Sequence, residues 1–144
     1  MNDTNACRIL FIDPDIGWID FAVRTLKGQD FGAQGVTDIG KVRQASNLVS
    51  RSQLVFVDLE FAERSSDQFQ RLVQVGNKFV VVLFPTGLTP HRMSRIFKLG
   101  AYDCVDKPYD TQSLVRLVTS LSKEVCLTTW DTASSSAPNC VPAA

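Results

Sequence analysis

The chain has 144 residues, with 15 Lys and Arg against 15 Asp and Glu, so its formal charge is zero and its length is that of one domain, not of a multidomain enzyme. A zero balance supplies no field that would gather nucleic acid or an anionic membrane, and 44% hydrophobic with 21% charged residues is the composition of a globular protein. The apolar runs stop at about six residues where a membrane span needs about 20, and the opening MNDTNACR lacks the charged start and apolar stretch of a signal peptide. A cytoplasmic protein is expected, with no membrane contact and no direct contact to nucleic acid.

In chain order, CRILFI at 7–12 reads as a strand, followed by a helix carrying Ile16, Ile19, Val23 and Leu26 on one face and stopping near Gly28. A second strand is expected near Phe31 to Thr37, weakened by Gly32 and Gly35, then a helical set of Ile39, Val42 and Val49. LVFV at 54–57 is the third strand, and Phe69, Leu72 and Val73 mark the helix after it. FVVVLF at 79–84 is the fourth strand; Thr89 and Pro90 then start a helix as cap and first position, with Met93, Ile96 and Phe97 along it and Gly100 at its stop. YDCV at 102–105 is the fifth strand, and Leu114, Leu117, Val118, Leu121 and Val125 share one face of the last helix. Strands that are apolar throughout are buried on both faces, so these five β-α repeats predict an α/β fold: a parallel sheet covered by helices on both sides with right-handed crossovers.

The domain is expected to span 5–126. From Leu127, twelve of the eighteen residues in LTTWDTASSSAPNCVPAA are Ala, Ser, Thr or Pro, which reads as a flexible C-terminal tail or truncated linker over 127–144, with Trp130 the one side chain able to dock it. The four cysteines form no C-x-x-C pair and His91 is the single histidine, so neither a zinc site nor a disulfide framework is expected. Cys7 and Cys104 read as small buried apolar side chains.

In open α/β sheets ligands sit beyond the carboxyl ends of the strands. The residues there are Asp13-Pro14-Asp15, Asp58-Leu59-Glu60, Pro85-Thr86-Gly87 and Asp106-Lys107-Pro108, which bring acids, a lysine and a threonine to one edge. The runs ILFIDPD, LVFVD, VVLFPTG and LGAYDCVDKPYD together resemble the receiver domain of two-component response regulators, over nearly all of residues 7–125. The resemblance implies a flavodoxin-like doubly wound five-stranded parallel sheet of order 2-1-3-4-5 with five helices. It also implies that Asp58 accepts a phosphoryl group, that Asp13, Asp15 and Asp58 hold Mg²⁺, and that Thr86 and Lys107 contact the phosphoryl group. Such chemistry needs a divalent cation and a lysine because an anionic carboxylate must approach an anionic donor. In most of that family the bond corresponding to Lys107-Pro108 is cis.

The sequence departs from the family at several positions. Pro14 stands where a second acid is expected, so Asp15 would have to turn inward and Mg²⁺ is expected to bind weakly. Counting back from Lys107, Pro85 falls on the hydroxyl position with Thr86 one beyond it, and Cys104 replaces the aromatic switch residue. Simpler readings also exist: Asp13 as a helix cap before Pro14, Lys107 as a structural counter-ion of Asp58, and His91 as an exposed first-turn residue.

The function implied is a regulatory module, not an enzyme, in a two-component phosphorelay. It either accepts a phosphoryl group on Asp58 with Mg²⁺ or serves as a phosphorylation-independent docking or dimerisation module. Its partners would be a sensor histidine kinase or phosphotransfer protein and an effector domain or protein, with an effector or homodimer contact on the face running from the fourth helix to the fifth. A rival is a small haloacid-dehalogenase-like phosphohydrolase with Asp13 as nucleophile and Asp15 as acid; against it, no acidic pair follows Lys107. A flavin module lacks the phosphate-cradling loop after the first strand.

Overall fold

Three of the five strands form from runs rich in Val, Ile, Leu and Phe that are buried on both faces, RILFI, LVFVD and FVVVLF, whereas the two edge strands, GAQGV and DCVD, are polar and only partly buried. The computed structural model describes residues 8–38, 46–74, 79–85 and 87–133. Its elements are β1 (Arg8–Ile12), α1 (Ile16–Lys27), β2 (Gly32–Val36), α2 (Ser46–Arg51), β3 (Leu54–Asp58), α3 (Leu59–Arg64), α4 (Ser66–Val73), β4 (Phe79–Phe84), α5 (Pro90–Lys98), β5 (Asp103–Asp106) and α6 (Thr111–Ala133). The strands make one parallel sheet of order β2-β1-β3-β4-β5, the expected flavodoxin-like topology.

Alternate strand residues face opposite layers. Ile9, Phe11, Phe56, Val81 and Leu83 pack with Trp18, Ala22 and Leu26 of α1 and Leu114, Val118, Leu121 and Val125 of α6. Leu10, Ile12, Val55, Val57, Val80 and Val82 pack on the other face against Val49 of α2, Phe61 of α3, Phe69 and Leu72 of α4, and Ile96 of α5. Each such side chain contributes about 1.5–3 kcal/mol by leaving water, which is what holds the three layers together.

Three local features differ from the sequence expectation. The connection from β3 to β4 holds two helices, broken at Ser65 (φ −120°, ψ 51°), so the described residues form six helices and not five. Ser65 and Ser66 compete with the helical backbone and suit a boundary better than an interior. On α1 the buried stripe is Trp18, Ile19, Ala22 and Leu26, whereas Ile16 is 69% exposed. α1 does stop at Gly28 as expected, the glycine being in right-handed conformation (φ −67°), and Asp30 two residues on has a positive φ (65°). Finally, α6 continues to Ala133, across the first part of the segment that composition had assigned to a flexible tail. No proline falls between Thr111 and Ala133, so the helix can propagate beyond the buried Val125.

Thr89 caps α5 as expected, its hydroxyl accepting from the Arg92 N–H at 3.2 Å with Pro90 at the first position. Gly100, at φ +110°, turns the chain from α5 into β5, and a Cβ there would lie 2.7 Å from Val73 Cγ1. Among the described residues no helix is long and apolar enough to cross a membrane. Cys7, Ile39, Val42, Thr86 and Cys140 lie outside the described residues.

Candidate functional site at the carboxyl ends of β1, β3 and β5

Asp13 follows β1, Asp58 ends β3 and Lys107 follows β5. Because β1 pairs with β3 with Ile12 opposite Val57, the two aspartates emerge side by side at the central crossover, where the sheet order reverses direction. The backbone at each point is pinned to a neighbouring strand: Asp13 N–H donates to the Val36 carbonyl at 3.0 Å and Lys107 N–H to the Phe84 carbonyl at 2.8 Å. Sheet registry, not the loops alone, therefore places the three groups.

Lys107 reaches between the two acids. Its Nζ lies 2.6 Å from Asp13 Oδ2 and 3.8 Å from Asp58 Oδ1, and the side chains of Lys107, Asp13 and Asp58 are 6%, 3% and 13% exposed. The ammonium is thus centred on Asp13. The other Asp13 oxygen, Oδ1, accepts from the Asp15 N–H at 2.9 Å, while Oδ2 has the ion pair and no hydrogen bond. Asp13 is fully engaged and buried. Asp58 is more accessible: Oδ2 accepts from the Glu60 N–H at 3.0 Å as the cap of α3, and Oδ1 faces Lys107 at longer range.

Burial raises the Asp58 carboxyl above its ordinary value, and the neighbouring Asp13 charge adds to this; the Glu60 N–H and Lys107 act the other way. One ammonium shared unequally by two carboxylates leaves Asp58 under-compensated. A carboxylate held that way is ready to gain a bond to an electrophile or a cation.

Asp15 does not join this group. It is exposed, and its Oδ1 accepts from the Trp18 N–H at 3.0 Å as the N-cap of α1, so the capping role expected for Asp13 falls to Asp15, and Pro14 is an exposed bend before the helix. Among the described residues no three His, Cys, Asp or Glu side chains form a metal-binding group. Asp13 and Asp58 are the two acids at the rim that could hold a divalent cation, and one or two carboxylates plus water and substrate phosphate is an ordinary magnesium environment. Two acids in place of three make that environment a poorer one.

Pro85 is exposed just beyond β4, and Thr86 lies outside the described residues. Cys104 is partly buried, and burial with Asp103 and Asp106 nearby pushes its thiol up to about 11, so it is a packing residue and not a nucleophile. The Lys107-Pro108 bond is trans, since no cis peptide occurs among the described residues. His91 is exposed in the first turn of α5, as expected. Beside the rim, Arg92 of α5 grips Glu63 of α3 with two hydrogen bonds, Nε to Oε2 at 2.9 Å and Nη2 to Oε1 at 2.7 Å.

The sequence reading missed Trp18. Its Nε1–H donates to the Pro108 carbonyl at 2.8 Å, and Lys107 Nζ lies 4.8 Å from its ring centroid. The signal was present as the spacing of Trp18, Ala22 and Leu26, an i, i+4, i+8 stripe beside Ile19.

No protein-family model matches the chain, and no curated protein matches it. Solved structures do. A signal receiver domain from Vibrio parahaemolyticus is similar at TM-score 0.69 and 16% identity, over 91% of this chain and 98% of that one. A response regulator from Thermotoga maritima is similar at TM-score 0.66 and 20% identity, over 83% and 97%. A CheY-like receiver domain protein from Methanospirillum hungatei is similar at TM-score 0.69 and 13% identity, over 83% and 96%. With the sheet order, the crossover helices and this agreement over nearly the whole of each neighbour, the chain has the receiver-domain fold.

Proposed function

We propose that the chain is a regulatory module of a two-component relay that accepts a phosphoryl group on Asp58. The observation that carries this reading is the unequal sharing of Lys107: the ammonium is 2.6 Å from Asp13 and 3.8 Å from Asp58, so the more accessible acid keeps an uncommitted oxygen. In the transfer, an Asp58 oxygen forms a bond to phosphorus while the bond from phosphorus to the donor, a phosphohistidine of a kinase or phosphotransfer protein or a small phosphodonor, breaks. Lys107, on a flexible stem, is the point charge that moves toward the new phosphoryl oxygens. Mg²⁺ would be held by Asp13 and Asp58 and supplies neutralisation of the phosphoryl oxygens. Titration calorimetry is expected to show weak Mg²⁺ binding, because Pro14 is not an acid and Asp15 caps α1.

Asp58 is favoured over Asp13 as the acceptor. A hydrolase using Asp13 as nucleophile would need a free oxygen on a residue whose Oδ1 and Oδ2 are both engaged, and an acid at Asp15, whose carboxylate is turned to the start of α1.

Output would pass through the face of α5, β5 and α6, where Phe97 and Tyr102 are exposed large hydrophobics and Arg95 and Lys98 supply basic charge. An effector domain or a second copy of the chain is the occupant in this reading. The exposed Pro85 and the partly buried Cys104 favour a second reading, a docking module that works without phosphorylation.

Incubation with acetyl phosphate and Mg²⁺, borohydride trapping and mass spectrometry tests the choice. Label on Asp58 that disappears in Asp58→Asn is the expected result. Label on Asp13 would overturn it, and no label under conditions that modify a control receiver would select the docking module.

A further inference from the structure

The phosphoryl-transfer reading makes no use of Trp18, yet this side chain touches the rim twice. Its indole N–H donates to the carbonyl of Pro108, the residue after Lys107, at 2.8 Å and across 90 positions of sequence. Its ring lies 4.8 Å from Lys107 Nζ. Trp18 is buried, and Phe11 packs edge-on against it with centroids 5.3 Å apart at 79°, so the ring has a fixed wall behind it. Lys107 is consequently held from both ends. The backbone is tied by its own N–H to Phe84 and by the next carbonyl to Trp18, while the ammonium rests on the ring face.

A lysine stem has several rotatable bonds and no intrinsic preference between two nearby carboxylates. Here it lies close to Asp13 and farther from Asp58. The aromatic face beside the ammonium can bias this choice, because the ring quadrupole attracts the ammonium electrostatically and does so more strongly when water is excluded.

We propose that Trp18 is a positioning residue that holds the Lys107 ammonium on the Asp13 side of the rim and thereby leaves Asp58 open. The consequence for Asp58 rests on the acceptor reading above; the placement of Lys107 does not. A desolvated contact of this kind is of the size that changes a rate or an equilibrium by about tenfold.

The direct test is NMR of the chain with ¹³C-labelled lysine. A methylene next to an ammonium above an indole face is shifted upfield by the ring current. One lysine ε-methylene resonance is expected upfield, absent in Lys107→Met, returned to the ordinary lysine position in Trp18→Leu, and partly retained in Trp18→Phe, which keeps a ring but loses the N–H. Should Trp18→Leu fail to fold, Trp18→Phe and Lys107→Met carry the test. The kinetic arm is the labelling rate of Asp58 by acetyl phosphate: about a tenfold loss in Trp18→Leu, a smaller loss in Trp18→Phe, and no further loss when Trp18→Leu is added to Lys107→Met. A Lys107 resonance at the ordinary position in the parent chain would overturn the proposal, and so would a double variant slowed by the full product of the two single effects. Failure of the parent chain to label would sink the acceptor reading and leave the NMR outcome to decide the role of Trp18.

Discussion

Replacing Lys107 by Met keeps much of the side-chain volume and the apolar stem but removes the ammonium that lies 2.6 Å from Asp13 and 3.8 Å from Asp58. The Asp13 side chain is 3% exposed, so its charge cannot be rescued by water without opening the rim. Breaking a buried pair by removing one partner costs about 3–5 kcal/mol, most of it the penalty of the charge left behind. Set against a total of roughly 5–15 kcal/mol for an ordinary domain, that is a large fraction of the stability. At roughly 3 °C per kcal/mol for a chain of this size, the melting temperature should fall by about 10–15 °C. Urea unfolding followed by far-UV circular dichroism measures the change, with an unaltered m-value showing that the loss lies in the native state. The double variant Asp13→Asn with Lys107→Met should recover most of the loss, because an amide oxygen can still accept from the Asp15 N–H while no charge remains at that position. If Lys107→Met stays within about 1 kcal/mol of the parent, or if the double variant is the less stable of the two, the pairing does not carry the energy argued for it.

Asp58→Asn should melt at the same temperature as the parent or higher at pH 7. The folded carboxyl binds its proton more tightly than the unfolded one, so its favourable contribution is present below the unfolded value and lost as pH rises through the folded value; Asn escapes that loss and still caps α3. The advantage should close on acidification below the ordinary carboxylate range, and a lower melting temperature at pH 7 would contradict the reasoning. For Glu63 the sign reverses. The hydrogen bonds from Arg92 hold its carboxyl below the usual value, so its contribution is present at neutral pH and lost as pH falls through the folded value, and Glu63→Gln should melt lower at pH 7 by a margin that shrinks in acid. A margin independent of pH would show that packing, not charge, is what the substitution disturbs. Gly100→Ala should cost about 1–3 kcal/mol in urea unfolding, from a φ of +110° and a Cβ placed 2.7 Å from Val73 Cγ1; a loss below about 0.5 kcal/mol would mean the turn relaxes freely.

β1, β3 and β4 were legible in the sequence because burial on both faces demands unbroken apolar runs, and FVVVLF and LVFV have almost no other physical use. Asp58 and Lys107 were legible for a related reason: a charge placed directly after such a run must sit at the sheet's rim and needs a partner there. Thr89 with Pro90 gave the start of α5, since capping depends on a few adjacent residues and little else. Composition reads the residues from Leu127 as a tail, whereas α6 continues to Ala133, because a low apolar content does not forbid a helix already nucleated upstream from continuing. Which helix face was buried, and with it the role of Trp18, depended on how α1 is rotated against β1, a matter of packing between elements that overlapping apolar periodicities leave ambiguous. The division of labour between the two acids after β1 was equally a tertiary decision. Asp15 caps α1 while Asp13 turns inward, because the registry of β1 with β2 and β3 fixes where the chain leaves the sheet, and a lysine 94 residues further along the chain arrives at that point only when β5 takes its place at the far edge.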